Sequence, residues 1–125
     1  MVNGTVINAE GRVAADVVIE GERIVSVVPR SANAVVPGPD DTVIDATGCF
    51  VIPGGVDAHV HMQLDTGTMV SSDSFESGTI AAAHGGTTTI IDFSEQRLGG
   101  QVLTAFEKRF AEAESQCVID WGLHQ

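Results

Sequence analysis

The sequence predicts an α/β fold in two parts. A small, mostly antiparallel β unit occupies residues 1–52, and the opening strands and helices of a parallel sheet occupy 53–125. Three observations predict it. The first 52 residues carry short Val- and Ile-rich runs separated by turn signals. Pro53-Gly54-Gly55 then interrupts the pattern, after which strand-like and helix-like segments alternate. Glycine is abundant, with 14 residues in 125, as tight connections require.

Val2 to Ile7 reads as the first strand. Val13–Glu20 and Arg23–Val28 read as two more, joined across Gly21-Glu22, a two-residue hairpin signal of Gly-X type. Pro29 ends the third. Residues 29–41 hold three prolines and two aspartates and read as a loop. Val43-Ile44 and Phe50-Val51-Ile52 read as short strands on either side of Ala46-Thr47-Gly48. Val56–Val60 is the next strand. A helix follows over Asp73–His84, with Asp73 and Glu76 as its capping box and Phe75, Thr79, Ala82 and Ala83 as its apolar face. Gly85-Gly86 stops it. The β-branched run Thr87–Phe93 is a strand. Gly99-Gly100 opens a second helix reaching about Ser115, with Val102, Leu103, Phe106, Phe110 and Ala113 on one face. Cys117–Leu123 is the last strand. Such alternation implies parallel pairing with right-handed crossovers. Three parallel strands with two helices leave edges open. A closed (β/α)8 barrel takes roughly 200 residues or more, so the chain is expected to be the beginning of a larger protein.

Composition narrows the function classes. With 17 acidic and 6 basic side chains the formal charge is −11, which gives no electrostatic pull toward nucleic acid or anionic lipid. The apolar fraction of 43% is too high for a disordered acidic tail. No apolar stretch approaches a membrane span, and the first twelve residues lack the basic and apolar regions of a secretory signal. Cys49 and Cys117 are expected to be small buried hydrophobes in a reducing, cytoplasmic setting.

The sharp chemical signal is Asp57-Ala58-His59-Val60-His61. On a helix, residues i and i+2 point about 200° apart. On a strand they share a face, about 6.5 Å apart, and two imidazoles can converge on one cation. Neutral imidazole suits zinc and similar metals. His59 and His61 are therefore the candidate metal ligands. Asp57 shares their face and either orients a ligand or makes a buried hydrogen bond to nearby backbone. His84 reads as a helix C-terminal residue and His124 as an ordinary strand-end histidine that could reach the same mouth. Asp92 and Asp65 could also reach it, although caps and solvated loops more often hold such residues. Glu107, Glu112, Glu114 and Asp120 read as a solvated face.

Val43–Gly48 (VIDATG) and Val51–Met62 (VIPGGVDAHVHM) resemble the entry segment of the amidohydrolase superfamily. Asp73–Thr79 (DSFESGT) and Gly85–Phe93 (GGTTTIIDF) resemble its hydantoinase and dihydropyrimidinase branch in particular. The resemblance covers essentially the whole chain. It implies the N-terminal part of a β-sandwich domain followed by the first units of a (β/α)8 metal-dependent hydrolase barrel, here truncated. It implies hydrolysis of a ring amide in dihydropyrimidines or hydantoins by a hydroxide bridging two divalent metals, usually zinc. The metals are then held by His59 and His61 together with a carboxylated lysine, two histidines and an aspartate, all four expected beyond residue 125. Lys108, the single lysine, falls in the second helix and does not match the bridging lysine. The resemblance further implies a homotetramer acting on a small cyclic amide. The segment Gln63-Leu64-Asp65-Thr66-Gly67 departs from the apolar loop usual at this point. Competing readings are an allantoinase- or dihydroorotase-type amidase, a non-catalytic collapsin response mediator-like assembly protein, and an independent small binding module. The retained histidine pair argues against the assembly protein.

Overall fold

In the computed structural model, which describes residues 1–31 and 35–125, contacts divide the chain into two units, Met1–Pro53 and Gly54–Gln125. The first is a four-stranded sheet of β1 (Gly4–Asn8), β2 (Gly11–Glu20), β3 (Arg23–Pro29) and β4 (Phe50–Val51), in the order β3-β2-β1-β4. β1, β2 and β3 pair antiparallel, whereas β4 runs parallel to β1. The Glu20–Arg23 hairpin forms with Gly21 at φ 59°, a conformation that glycine adopts freely. Val6, Ala15 and Val17 make the small core, with Met1 and Val51 packed against it.

Three expectations for this unit are corrected. β1 begins at Gly4, and Val2 makes an isolated parallel bridge to Asp45. Val43-Ile44 forms no strand and both side chains are exposed. The reason lies one residue on: Asp45 accepts from the Thr47 hydroxyl at 2.7 Å and the Thr47 N–H at 3.0 Å, a local turn that competes with a ladder. The Thr47 hydroxyl, followed by Asn3 and the Thr47 N–H, holds the Asp45 carboxyl below the usual carboxylate range. Cys49 is exposed, not buried. Within the expected loop over 29–41, residues 32–34 lie outside the described residues.

The second unit contains β5 (Gly55–Val60), α1 (Phe75–His84), β6 (Thr87–Phe93), α2 (Val102–Glu114) and β7 (Asp120–His124). The strands pair in parallel in the order β5-β6-β7. β6 has the expected bounds. The last strand starts at Asp120 rather than Cys117. α1 starts at Phe75 because Ser74, not Asp73, is its N-cap. The Ser77 N–H donates to the Ser74 hydroxyl oxygen at 3.1 Å, and the Ser77 hydroxyl oxygen accepts from the Ser74 N–H at 3.0 Å. Asp73 instead accepts the Ser77 hydroxyl.

Phe75, Ile90 and Ala113 form the core between the helices and the sheet, joined by Val60, Met62, Cys117, Ile119 and Trp121. Full burial of Phe75 contributes roughly 2–3 kcal/mol. The expected apolar faces are partly wrong. Ala83 on α1 is exposed, while Gly78 is buried with Phe75 and Thr79. A Cβ on Gly78 would lie 2.3 Å from Met62 Sδ, so the missing side chain is what admits methionine there. On α2, Val102 and Leu103 are exposed, and the inward stripe runs through Ala105, Phe106, Arg109, Glu112 and Ala113. Glu112 therefore does not belong to a solvated face: it pairs with Arg109 at 3.1 Å and Lys108 at 3.7 Å.

Candidate functional site

Strand alternation gives the β5-β6-β7 sheet two different faces. Val60, Met62, Ile90 and Trp121 turn toward the helices. On the opposite face stand His59 and His61 from β5 and the residue following it, with Phe93 ending β6 and His124 ending β7. The His59 and His61 rings lie 5.2 Å apart, centroid to centroid, at 71°. Phe93 sits against both, 4.5 Å from His59 and 5.1 Å from His61, nearly parallel to the latter. His124 closes the group at 4.9 Å from Phe93, and its Nε2 lies 3.2 Å from the Ala58 carbonyl oxygen. The register of β5 against β6 shifts between Asp57 and Val60. This bulge falls beside the pair and re-aims the strand there.

The carboxylates divide differently from expectation. Asp57 accepts the His59 N–H at 3.1 Å, a bond to nearby backbone, but it does so exposed rather than buried. Asp65 pairs with Arg97 at 2.5 Å and accepts the Gly67 N–H at 2.8 Å. That N–H foremost, helped by the positive charge of Arg97, holds the Asp65 carboxyl below the usual range. Glu95, which the sequence reading passed over, brings Oε1 to 3.7 Å from His61 Nδ1. Asp92 is neither a cap nor a solvated residue. It is completely buried, faces the helices, and pairs with Arg109 at 2.9 Å. Parity could have placed it, because Asp92 is two residues from Ile90 and must share its face. Phe93 was legible the same way, alternating with Ile91 onto the histidine face. His84 ends α1, as expected.

Two exposed imidazoles on one face fit half of a tetrahedral ligand set. Among the described residues, no group of three or more His, Cys, Asp or Glu gathers at metal-binding distance. No described helix is long and apolar enough to cross a membrane.

The parallel β-α-β-α-β unit beside a small, mostly antiparallel sheet defines the class, a mixed α/β fold. Residues 50–121 match the amidohydrolase family, and the chain belongs to that family. It is 44% identical over 121 residues to a D-hydantoinase of Streptomyces coelicolor, covering 97% of this chain and 26% of that protein. It is 45% identical over 122 residues to a D-hydantoinase of Geobacillus stearothermophilus, covering 98% and 25%. The crystal structure of dihydropyrimidinase from Brevibacillus agri superposes with a TM-score of 0.89 at 41% identity, covering 98% of this chain and 26% of that one. The chain thus spans about a quarter of the length of the relatives it matches.

Proposed function

We propose that this chain supplies the first two metal ligands, His59 and His61, of a cyclic amidohydrolase that opens the ring amide of hydantoins or dihydropyrimidines. The observation that carries the reading is the pair itself: two imidazoles on one face at the end of β5, with ring centroids 5.2 Å apart. Membership of the amidohydrolase family supports it, as does the identity to D-hydantoinases along nearly all of the chain. On this reading Gly54–Gln125 is the start of a (β/α)8 barrel and Met1–Pro53 part of a β-sandwich. The site then lies at the C-terminal ends of the barrel strands, where such barrels carry their chemistry. Zinc is the metal that two neutral imidazoles and further nitrogen and oxygen ligands suit. When bound, such a metal polarises the ring carbonyl and makes water acidic enough to attack at neutral pH. The residues of this chain hold and orient. His59 and His61 present ring nitrogens, and Phe93 packs against both rings and limits their rotation. A small cyclic amide is the partner, and a homotetramer in the cytoplasm is the expected form.

The test is elemental analysis alongside turnover of hydantoin and dihydrouracil by the intact protein and by His59→Ala and His61→Ala. The expected result is loss of bound metal together with a fall in turnover of roughly two orders of magnitude or more. An active, metal-replete double alanine variant would overturn the assignment.

A further inference from the structure

We propose that the buried Asp92–Arg109 pair is a positioning clamp: it grips the backbone directly after His61 from the helix side of the sheet and so fixes the histidine pair on the other side. The inference rests on the metal-site reading of His59 and His61. Its geometry converges on one residue, Met62. The Met62 N–H donates to Asp92 Oδ2 at 2.8 Å. The Met62 carbonyl accepts from Arg109 Nη2. The Met62 side chain fills the space left by Gly78. The peptide unit joining His61 to Met62 is thus held at its nitrogen, and the next at its oxygen.

The clamp is itself immobilised. Asp92 is fully buried, and the Arg109 side chain is only 11% exposed. Arg109 reaches Asp92 Oδ1 with Nε at 3.2 Å and Nη2 at 2.9 Å, and its Nη1 donates to Glu112 at 3.1 Å. Its guanidinium lies 4.4 Å from the centroid of the Phe75 ring, a cation–π contact. Three elements therefore meet at the strand end: β6 through Asp92, α2 through Arg109 and α1 through Phe75. The neighbour of Asp92 completes the device. Because alternate residues face opposite ways, Asp92 grips Met62 on the helix side while Phe93 packs against His59 and His61 on the other. Buried charge adds little net stability compared with apolar packing. A pair placed directly beneath the candidate ligands serves to fix their geometry.

The experiment uses the intact protein and the variants Asp92→Asn, Arg109→Met, the apolar replacement Asp92→Leu/Arg109→Met, and His59→Ala/His61→Ala. Zinc affinity is measured by chelator competition on metal-stripped protein. Amide hydrogen exchange is followed over residues 60–64 without metal, and thermal unfolding is recorded. Asp92→Asn is expected to weaken zinc binding 10- to 100-fold, the range for groups that orient ligands, and to speed Met62 exchange about 10-fold or more. The apolar double variant is expected to recover the wild-type melting temperature while zinc binding stays weak. Zinc affinity and Met62 exchange both within twofold of wild type in Asp92→Asn would overturn the clamp. So would recovery of zinc affinity together with melting temperature in the double variant, which marks a purely structural pair. Should Asp92→Asn not fold, the double variant carries the test. If His59→Ala/His61→Ala binds zinc as wild type does, the metal reading fails by itself, and Met62 exchange in Asp92→Asn still decides whether the pair holds the strand end.

Discussion

Among the described residues each of the two units buries one aspartate, and the two are handled differently. Asp16 in Met1–Pro53 is 3% exposed, and Asp92 in Gly54–Gln125 is 0% exposed. Asp16 accepts backbone N–H groups, from Asn3 at 2.9 Å and Val35 at 3.4 Å. It ties chain entry and a loop onto β2. Asp92 also accepts backbone N–H groups, from Met62 at 2.8 Å and from Phe93 at 2.5 Å, but in addition engages a nearly buried guanidinium. The first arrangement closes connections. The second commits two opposite charges to the interior and joins a strand end, a second strand and a helix. In both, each carboxylate oxygen has at least one partner, and no buried side-chain N or O among the described residues lacks one. What differs is the consequence of loss. Removing Asp16 strands donors of ordinary strength, whereas removing Asp92 leaves a cation that cannot shed its charge.

The largest expected effect follows from that contrast. Asp92→Ala should lower the stability of the second unit by about 3–5 kcal/mol. Glu112, still 3.1 Å from Arg109, places the expectation toward the lower end. Urea unfolding with hydrogen exchange read at β6 and α2 checks it. A loss below about 1 kcal/mol, in the range of an exposed pair, would make the two aspartates equivalent and break the comparison.

Sequence patterns exposed these two sites unequally. The β6 strand, Thr87–Phe93, was legible to the residue, because five consecutive β-branched residues, Thr87 to Ile91, follow Gly85-Gly86 and favour a strand. His59 and His61 were legible through their spacing, and the structure places both on one face. Arg109 was not. A search for apolar periodicity on α2 picks out Val102 and Leu103, which are exposed, and passes over a charged residue in the inward stripe. Its buried partner on the facing strand, Asp92, is 17 residues away in sequence, and helix periodicity carries no sign of it. The cap of α1 failed for a smaller reason: Asp73 and Ser74 are both good caps, and the reciprocal Ser74–Ser77 bonds decided between them. His124 reads as an ordinary strand-end histidine until β7 is set beside β6 in register, which places it opposite Phe93.

A smaller effect is expected at the other aspartate. Asp16→Ala should reduce the stability of the first unit by about 1–3 kcal/mol, the penalty for leaving a buried donor unpaired. Zinc affinity should not change, because the residues it ties belong to Met1–Pro53. Thermal unfolding and chelator competition on the same preparation measure both. A tenfold loss of zinc affinity in Asp16→Ala would remove the distinction between a carboxylate that closes loops and one that positions ligands.

The smallest effect uses Cys117 to probe the surroundings of Asp92. Burial, followed by the negative charge of Asp92, pushes the Cys117 thiol up to about 11 from an ordinary 9.0, with Arg109 acting in the opposite direction. A folded-state value above the unfolded one means that the unfolded chain releases its proton first. The stabilising contribution is therefore present below pH 9 and is lost as the pH rises toward 11. At pH 8 the same shift reduces the thiolate about 100-fold relative to an ordinary thiol. Iodoacetamide should accordingly modify the exposed Cys49 well before Cys117. Mass spectrometry of the two cysteine peptides over time gives the ratio. In Asp92→Asn the negative charge is gone while Arg109 remains, so the Cys117 thiol should become more acidic and react faster. If its rate is unchanged in that variant, the Asp92 charge is screened at Cys117. The contrast between an aspartate paired with buried charge and one held by backbone N–H groups would then lose its electrostatic half.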